Sequence, residues 1–169
     1  MRYLILLMAL LAAVSVSAEP VPQEDIRQHL LVVAKDMRIA QGFKHGVRAG
    51  LTGSDAVDPR VQALLAMDDR TLDGFFVEIV SPRLSLQEAK AARAFFASDA
   101  GKALTAAQAK DPLDPRPALD LTPTQMVAVR AYMGSAAGKK LGALVSSPAT
   151  WDAFNAKVGA ALVPSLKAP

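Results

Sequence analysis

A chain of 169 residues with no cysteine, 51% hydrophobic residues and 5% aromatic residues excludes a disulfide scaffold and leaves ample apolar material for a single core. Nineteen Lys and Arg against 16 Asp and Glu give a formal net charge of +3, but the charges are mixed along the chain. The longest basic run is Lys139-Lys140, which argues against nucleic acid as a partner, because counterion release needs clustered cations.

The N-terminus has the pattern of an export signal. Arg2 precedes an apolar run over residues 3–14, and Val16-Ser17-Ala18 presents small residues at the minus-three and minus-one positions of a cleavage site. Such a run is too short for a membrane span, which needs about 20 apolar residues. The expected division is a signal peptide over 1–18 and a single helical domain over 19–169, placed in the periplasm or secreted after cleavage following Ala18. No second apolar segment reaches spanning length, so no transmembrane segment is expected in the mature chain.

From residue 23 to 49, Ile26, Leu30, Val33, Met37, Ala40, Phe43 and Val47 recur at spacings of three and four, which predicts one amphipathic helix. Gly42, Gly46 and Gly50 weaken its second half, so the bend is expected near Gly42. Residues 51–57 read as a loop, and Asp58-Pro59 as an N-cap followed by proline at the first helical position. Val61, Leu64 and Leu65, then Leu72, Phe75, Phe76, Ile79 and Val80, form apolar faces belonging to one helix or two, ended by Pro82. Ser147-Pro148 opens a last helix with Trp151, Phe154, Val158 and Leu162 on its apolar stripe. Nothing alternates with period two, and the predicted fold is an all-α bundle of about six to eight helices with an internal duplication.

The duplication is the most informative feature. Residues 84–104 and 121–141 align without a gap at an offset of 37, with nine of 21 pairs identical, where composition alone gives roughly two or three. Each copy opens with a capping box, Ser85 with Glu88 and Thr122 with Gln125. Three prolines within 111–117 make the connector between them stiff and extended.

The candidate site residues are the repeated ones: Arg93, Phe95, Ser98, Gly101 and Lys102 in the first copy, and Arg130, Tyr132, Ser135, Gly138 and Lys139 in the second. Ala91, Ala94, Phe95 and Ser98 share one helical arc, as do Ala128, Ala131, Tyr132 and Ser135, which predicts a close helix contact there. Met126, Val127, Val129 and Met133 surround the rest of the second helix, and a helix apolar nearly all round belongs at a bundle centre. Ser98 is expected to re-cap the chain after a helix break, and Gly101 and Gly138 to mark close approach or a left-handed stop. Arg93 and Arg130 should either reach a carboxylate or helix-end carbonyls, with Asp73 and Glu78 as candidate partners of Arg93, or snorkel to water over their apolar neighbours.

These residues give no catalytic constellation. His29 and His45, the only histidines, lie on the first predicted helix, away from any strand-turn-helix elbow that could activate Ser98 or Ser135. Gly138-Lys139 lacks the spacing and the following hydroxyl of a phosphate loop. One imidazole with Asp25 does not make a metal site. No catalytic residue, metal or cofactor is therefore expected.

The repeated motif resembles that of a family of short, secreted, all-helical bacterial proteins that carry a domain of unknown function. Their pattern is Phe-Tyr-x-Ser-Pro-x-Gly-x-Lys-Leu after a Leu-Ser/Thr-x-x-Glu-Leu helix start. The likeness is best at Phe95, Phe96, Ser98, Gly101 and Leu104, and returns over 121–141. Asp99 and Ala136 stand where the family has proline, and Phe96 and Met133 where it has tyrosine. The resemblance implies export and an all-α fold, and implies no activity.

The functional expectation is a non-catalytic envelope or periplasmic interaction module whose partner is another envelope protein. The alternative is a carrier of a small apolar ligand or lipid, raised by Met37, Met67, Met126 and Met133 among apolar stripes, although methionine also fills irregular core gaps. A hydrolase has almost no support. A chain this size needs most of its stripes for its own core, so no large internal cavity is expected, and spare apolar surface should lie on the first helix.

Overall fold

The computed structural model describes residues 23–51, 58–110 and 120–165, and among them every regular element is helical. The expected signal peptide over 1–18, residues 52–57 of the expected loop and the expected connector over 111–117 lie outside the described residues. The all-α bundle stands, with nine α-helices and one 3₁₀ turn among the described residues. The number is nine because two apolar stripes are each divided by a break.

The first break falls at Arg38 and not at Gly42. Helix α1 (Gln23–Asp36) ends, and α2 (Ile39–Gly50) begins after Arg38 adopts φ 57° and ψ 39°, the left-handed region. That conformation costs an L residue about 1–2 kcal/mol. It is held by a distant carboxylate: Asp73 Oδ1 accepts the Ala40 N–H at 3.1 Å, satisfying one of the orphan donors at the start of α2. Gly42 and Gly46 sit within α2 and have open space beside them, so no close contact bends the helix there.

The second break separates α3 (Pro59–Ala66) from α4 (Asp69–Val80). Asp58 caps α3 by accepting from Arg60 N–H at 2.7 Å, with Pro59 at the first helical position. Asp68 caps α4 by accepting from Arg70 N–H at 2.9 Å and Thr71 N–H at 3.3 Å. Lys44 of α2 fastens the joint, since its Nζ donates to the Met67 carbonyl at 2.5 Å and to Asp69 Oδ1 at 2.6 Å. Pro82 lies in the 3₁₀ turn Ser81–Arg83 that ends α4.

Four further helices carry the duplication: α5 (Leu86–Ala97), α6 (Asp99–Lys110), α7 (Pro123–Gly134) and α8 (Ala136–Val145). The last helix is α9 (Pro148–Ser165). Helix α4 is central to the first half, packing on α1, α2 and α9 and burying Leu72, Phe76, Val77 and Val80. Phe154 of α9 is fully buried, edge-on to Phe43 at 4.9 Å and to Trp151 at 5.5 Å between ring centroids. Trp151 Nε1 donates to the Val145 carbonyl at 2.7 Å, so burying the indole leaves its N–H satisfied at the end of α8.

Candidate functional site

Each copy of the repeat is a helix, a serine hinge and a second helix, and the two are alike down to single hydrogen bonds. In α5, Ser85 N–H donates to Glu88 Oε2 at 2.7 Å while Glu88 N–H donates to Ser85 Oγ at 3.2 Å. In α7, Thr122 N–H donates to Gln125 Oε1 at 2.9 Å and Gln125 N–H to Thr122 Oγ1 at 3.3 Å. Both expected capping boxes are therefore formed.

The hinges match as closely. Ser98 has φ −75° and ψ 163°, and Ser135 has φ −72° and ψ 163°. Each hydroxyl donates to the carbonyl three residues back, Phe95 or Tyr132, at 2.6 Å. Each also accepts the N–H three residues on, Gly101 at 3.2 Å or Gly138 at 3.1 Å. With both roles of the hydroxyl engaged in ending one helix and starting the next, these serines are structural caps. The break persists without proline at Asp99 and Ala136 because the serine cap supplies it.

The glycines permit the tight turn. A Cβ on Gly101 would collide with the Phe95 carbonyl oxygen and lie 2.6 Å from Phe96 Cα. On Gly138 it would collide with the Tyr132 carbonyl oxygen and lie 3.0 Å from Met133 Cα. Close approach, not a left-handed stop, is the reason for glycine at both positions. Lys102 and Lys139, which follow the glycines, are exposed.

The copies embrace each other. Helix α5 packs on α8 and α6 on α7, so exchanging α5 with α7 and α6 with α8 reproduces the same set of pairings. At the centre, Phe95 and Tyr132, equivalent residues, stack with ring centroids 3.9 Å apart and planes 4° apart. Phe96 meets both edge-on, at 5.1 Å from Phe95 and 5.8 Å from Tyr132. Burial raises the Tyr132 phenol to about 12, and its buried hydroxyl has no hydrogen-bond partner among the described residues. Lys140 of α8 ties back to Glu88 of α5 at 3.0 Å. The Glu88 carboxyl is lowered, first by the Ser85 N–H it accepts and then by Lys140.

Three expectations about these helices are overturned. The buried arc of α5 is Ala89, Ala92, Phe95 and Phe96, whereas Ala91 and Ala94 are exposed. The reason is α1, which packs on α5 and on α4 and buries Ile26, Leu30 and Val33. Helix α7 is peripheral, not central: Val129 is its buried apolar residue, while Val127 is 66% exposed and Met133 50%. Among the described residues the large apolar side chains that stand exposed lie on α7 and, at Val163, near the end of α9, while apolar residues of the first predicted helix border a groove instead. Arg93 pairs with neither Asp73 nor Glu78; its guanidinium lies 3.2 Å from His29 Nδ1 on α1. Glu78 instead pairs with Lys157 at 2.6 Å. Arg130, the equivalent of Arg93, is exposed.

Two clefts lie elsewhere, the second of them on the part of the first predicted helix where spare apolar surface was expected. One of about 550 Å³ lies against α1, α2 and α4, lined in part by Leu31, Lys35, Arg38, Arg70 and Asp73. Asp73 there is raised above the usual carboxylate range, chiefly by burial, although the Ala40 N–H opposes the shift. The other, about 600 Å³, is a groove between α2 and α9 bordered by Met37, Ile39, Phe43, Val47 and Trp151. Gly42 and Gly46 lie along it, with no side chains to fill the space. Among the described residues no three of His, Cys, Asp and Glu come together as a metal-binding group, and no helix is long and apolar enough to cross a membrane. Comparison with protein-family models, curated proteins and solved structures finds no match.

Proposed function

We propose that the chain is an exported, non-catalytic interaction module of the bacterial cell envelope, acting after removal of residues 1–18. The observation that carries this reading is the uncovered apolar face of α7, where Val127 and Met133 stand in water beside Arg130. Exposed apolar clusters rimmed by polar groups are typical of association surfaces. The export-type N-terminus and the likeness of both copies to the secreted helical family support the same reading. In this account Ser98, Ser135, Gly101 and Gly138 build the hinge, Phe95 and Tyr132 join the copies, and the partner is another envelope protein. Crosslinking in intact cells followed by purification from the envelope tests it. A mature chain beginning at Glu19 with a reproducible crosslinked partner is expected; a chain retaining Met1 in the cytoplasm contradicts it.

The groove between α2 and α9 favours a second reading, a carrier of a small apolar ligand or lipid. Solvent extraction and mass spectrometry of protein purified from its own envelope separates the two. A stoichiometric fatty acid or phospholipid supports the carrier, and its absence supports the interaction module.

A further inference from the structure

The duplication contains its own template for covering α7. In the first copy, Ala89, Ala92 and Phe96 form a strip of α5 that is buried in the core cluster shared with α1. The equivalent residues of α7 are Met126, Val129 and Met133; Val129 is buried in the core cluster and Met126 is partly buried, but no counterpart of α1 packs along α7 among the described residues, and Met133 stays open. Phe96 is buried, yet Met133 at the same place is half-exposed. The neighbouring position differs in the same sense: exposed Lys90 in the first copy corresponds to exposed Val127 in the second. An apolar residue replacing a charged one at a solvent-facing position suits a surface that becomes covered. The methionines are flexible and polarizable, and they adapt to an incoming helix.

Charge indicates the occupant. Arg93 on α5 meets a nitrogen acceptor of the covering helix, His29. Its equivalent, Arg130, is exposed on α7 and makes no ion pair or hydrogen bond among the described residues. A second copy brought face to face across a two-fold axis sets Arg130 near Arg130, a like-charge contact that disfavours self-association. A carboxylate on a partner helix neutralises the guanidinium and forms a charge-assisted hydrogen bond.

We infer that α7 docks an amphipathic helix of a partner protein on the face left open where no counterpart of α1 packs, rotated toward Val127 relative to the seat of α1 on α5, with apolar residues at i, i+4 and i+7 on Met126, Val127 and Met133 and a carboxylate on Arg130. This rests on the interaction-module reading. It assigns that module a helix-in-groove mode of recognition.

The probe is a labelled peptide of α1, residues 23–36, carrying His29→Glu and titrated with the full chain. Saturable binding is expected, weakened roughly tenfold or more by Val127→Lys or Met133→Lys, which place a charge in the apolar contact, or by Arg130→Glu, which removes the charge-assisted bond. A peptide carrying His29→Lys should recover binding to the Arg130→Glu chain. The altered positions are exposed, and circular dichroism checks that each variant keeps its helices. Absence of saturation overturns the inference, and so does binding indifferent to all three variants, the result if the peptide displaces α1 from α5. Concentration-dependent dimerisation abolished by Val127→Lys also overturns it, making the occupant a second copy. An envelope partner crosslinked at another surface leaves the interaction module standing while removing this docking mode.

Discussion

Phe95 and Tyr132 occupy equivalent positions of a duplicated unit and lie face to face, 3.9 Å between ring centroids. The residue whose carbonyl the hinge serine takes up in the last turn of each copy's first helix is thus the residue by which that copy grips the other. The contact links hinge geometry to the packing of all four repeat helices. The Ser98 and Ser135 hydroxyls bond to the carbonyls of these same two residues, so each hinge also positions its stacked ring.

The Tyr132 hydroxyl is buried without a partner among the described residues, so Tyr132→Phe should leave stability unchanged or raise it by up to about 1 kcal/mol. The wild-type phenol, raised to about 12 by burial, also predicts a pH dependence. Because the folded value lies above the ordinary one near 10, this contribution is fully present below about pH 10 and lost as pH rises toward 12. Urea titrations across that range should show the loss in wild type and not in Tyr132→Phe. A wild-type advantage of more than 1 kcal/mol at neutral pH contradicts a partnerless hydroxyl.

Adding one methyl at either repeat glycine should be destabilising, because the obstruction is backbone and cannot rotate away. Gly101→Ala and Gly138→Ala are each expected to lower stability by about 1–3 kcal/mol in chemical denaturation, and by similar amounts. Wild-type melting of both variants is incompatible with the close approach.

Asp73 supports the Arg38 break as an acceptor rather than as a charge. Asp73→Ala should cost about 1–2 kcal/mol by stranding the Ala40 N–H, whereas Asp73→Asn keeps an oxygen in place. Burial raises the carboxyl, so its favourable contribution is fully present below the unfolded carboxylate value and lost as pH rises through the higher folded value. The stability of Asp73→Asn relative to wild type should therefore increase from pH 4 to pH 7. The opposite slope identifies an ion pair as what the site needs.

Features governed by near neighbours were legible in the sequence. The capping boxes, the serine hinges and the need for glycine at 101 and 138 depend on groups three to six residues away, which motif spacing captures. Features fixed by distant partners were not. The apolar stripe is broken at Arg38, where the Ala40 N–H just beyond it is held by a carboxylate 33 residues further along the chain, and Arg93 meets His29 at a separation of 64. The exposure of Val127 and Met133 was hidden for a related reason. A helix apolar on most sides does not reveal which side its neighbours leave bare, and α1 covers only one of two equivalent helices.

The most direct test of the account uses a photo-crosslinking amino acid placed in turn at positions 127, 133 and 90 of the full chain in living cells. Position 90 is the exposed equivalent of 127 in the first copy and serves as the internal control. A discrete adduct of one envelope protein is predicted from 127 and 133 and not from 90. Adducts from 90 alone, or none at any of the three, contradict the claim that the bare face of the second repeat is where this protein meets its partner.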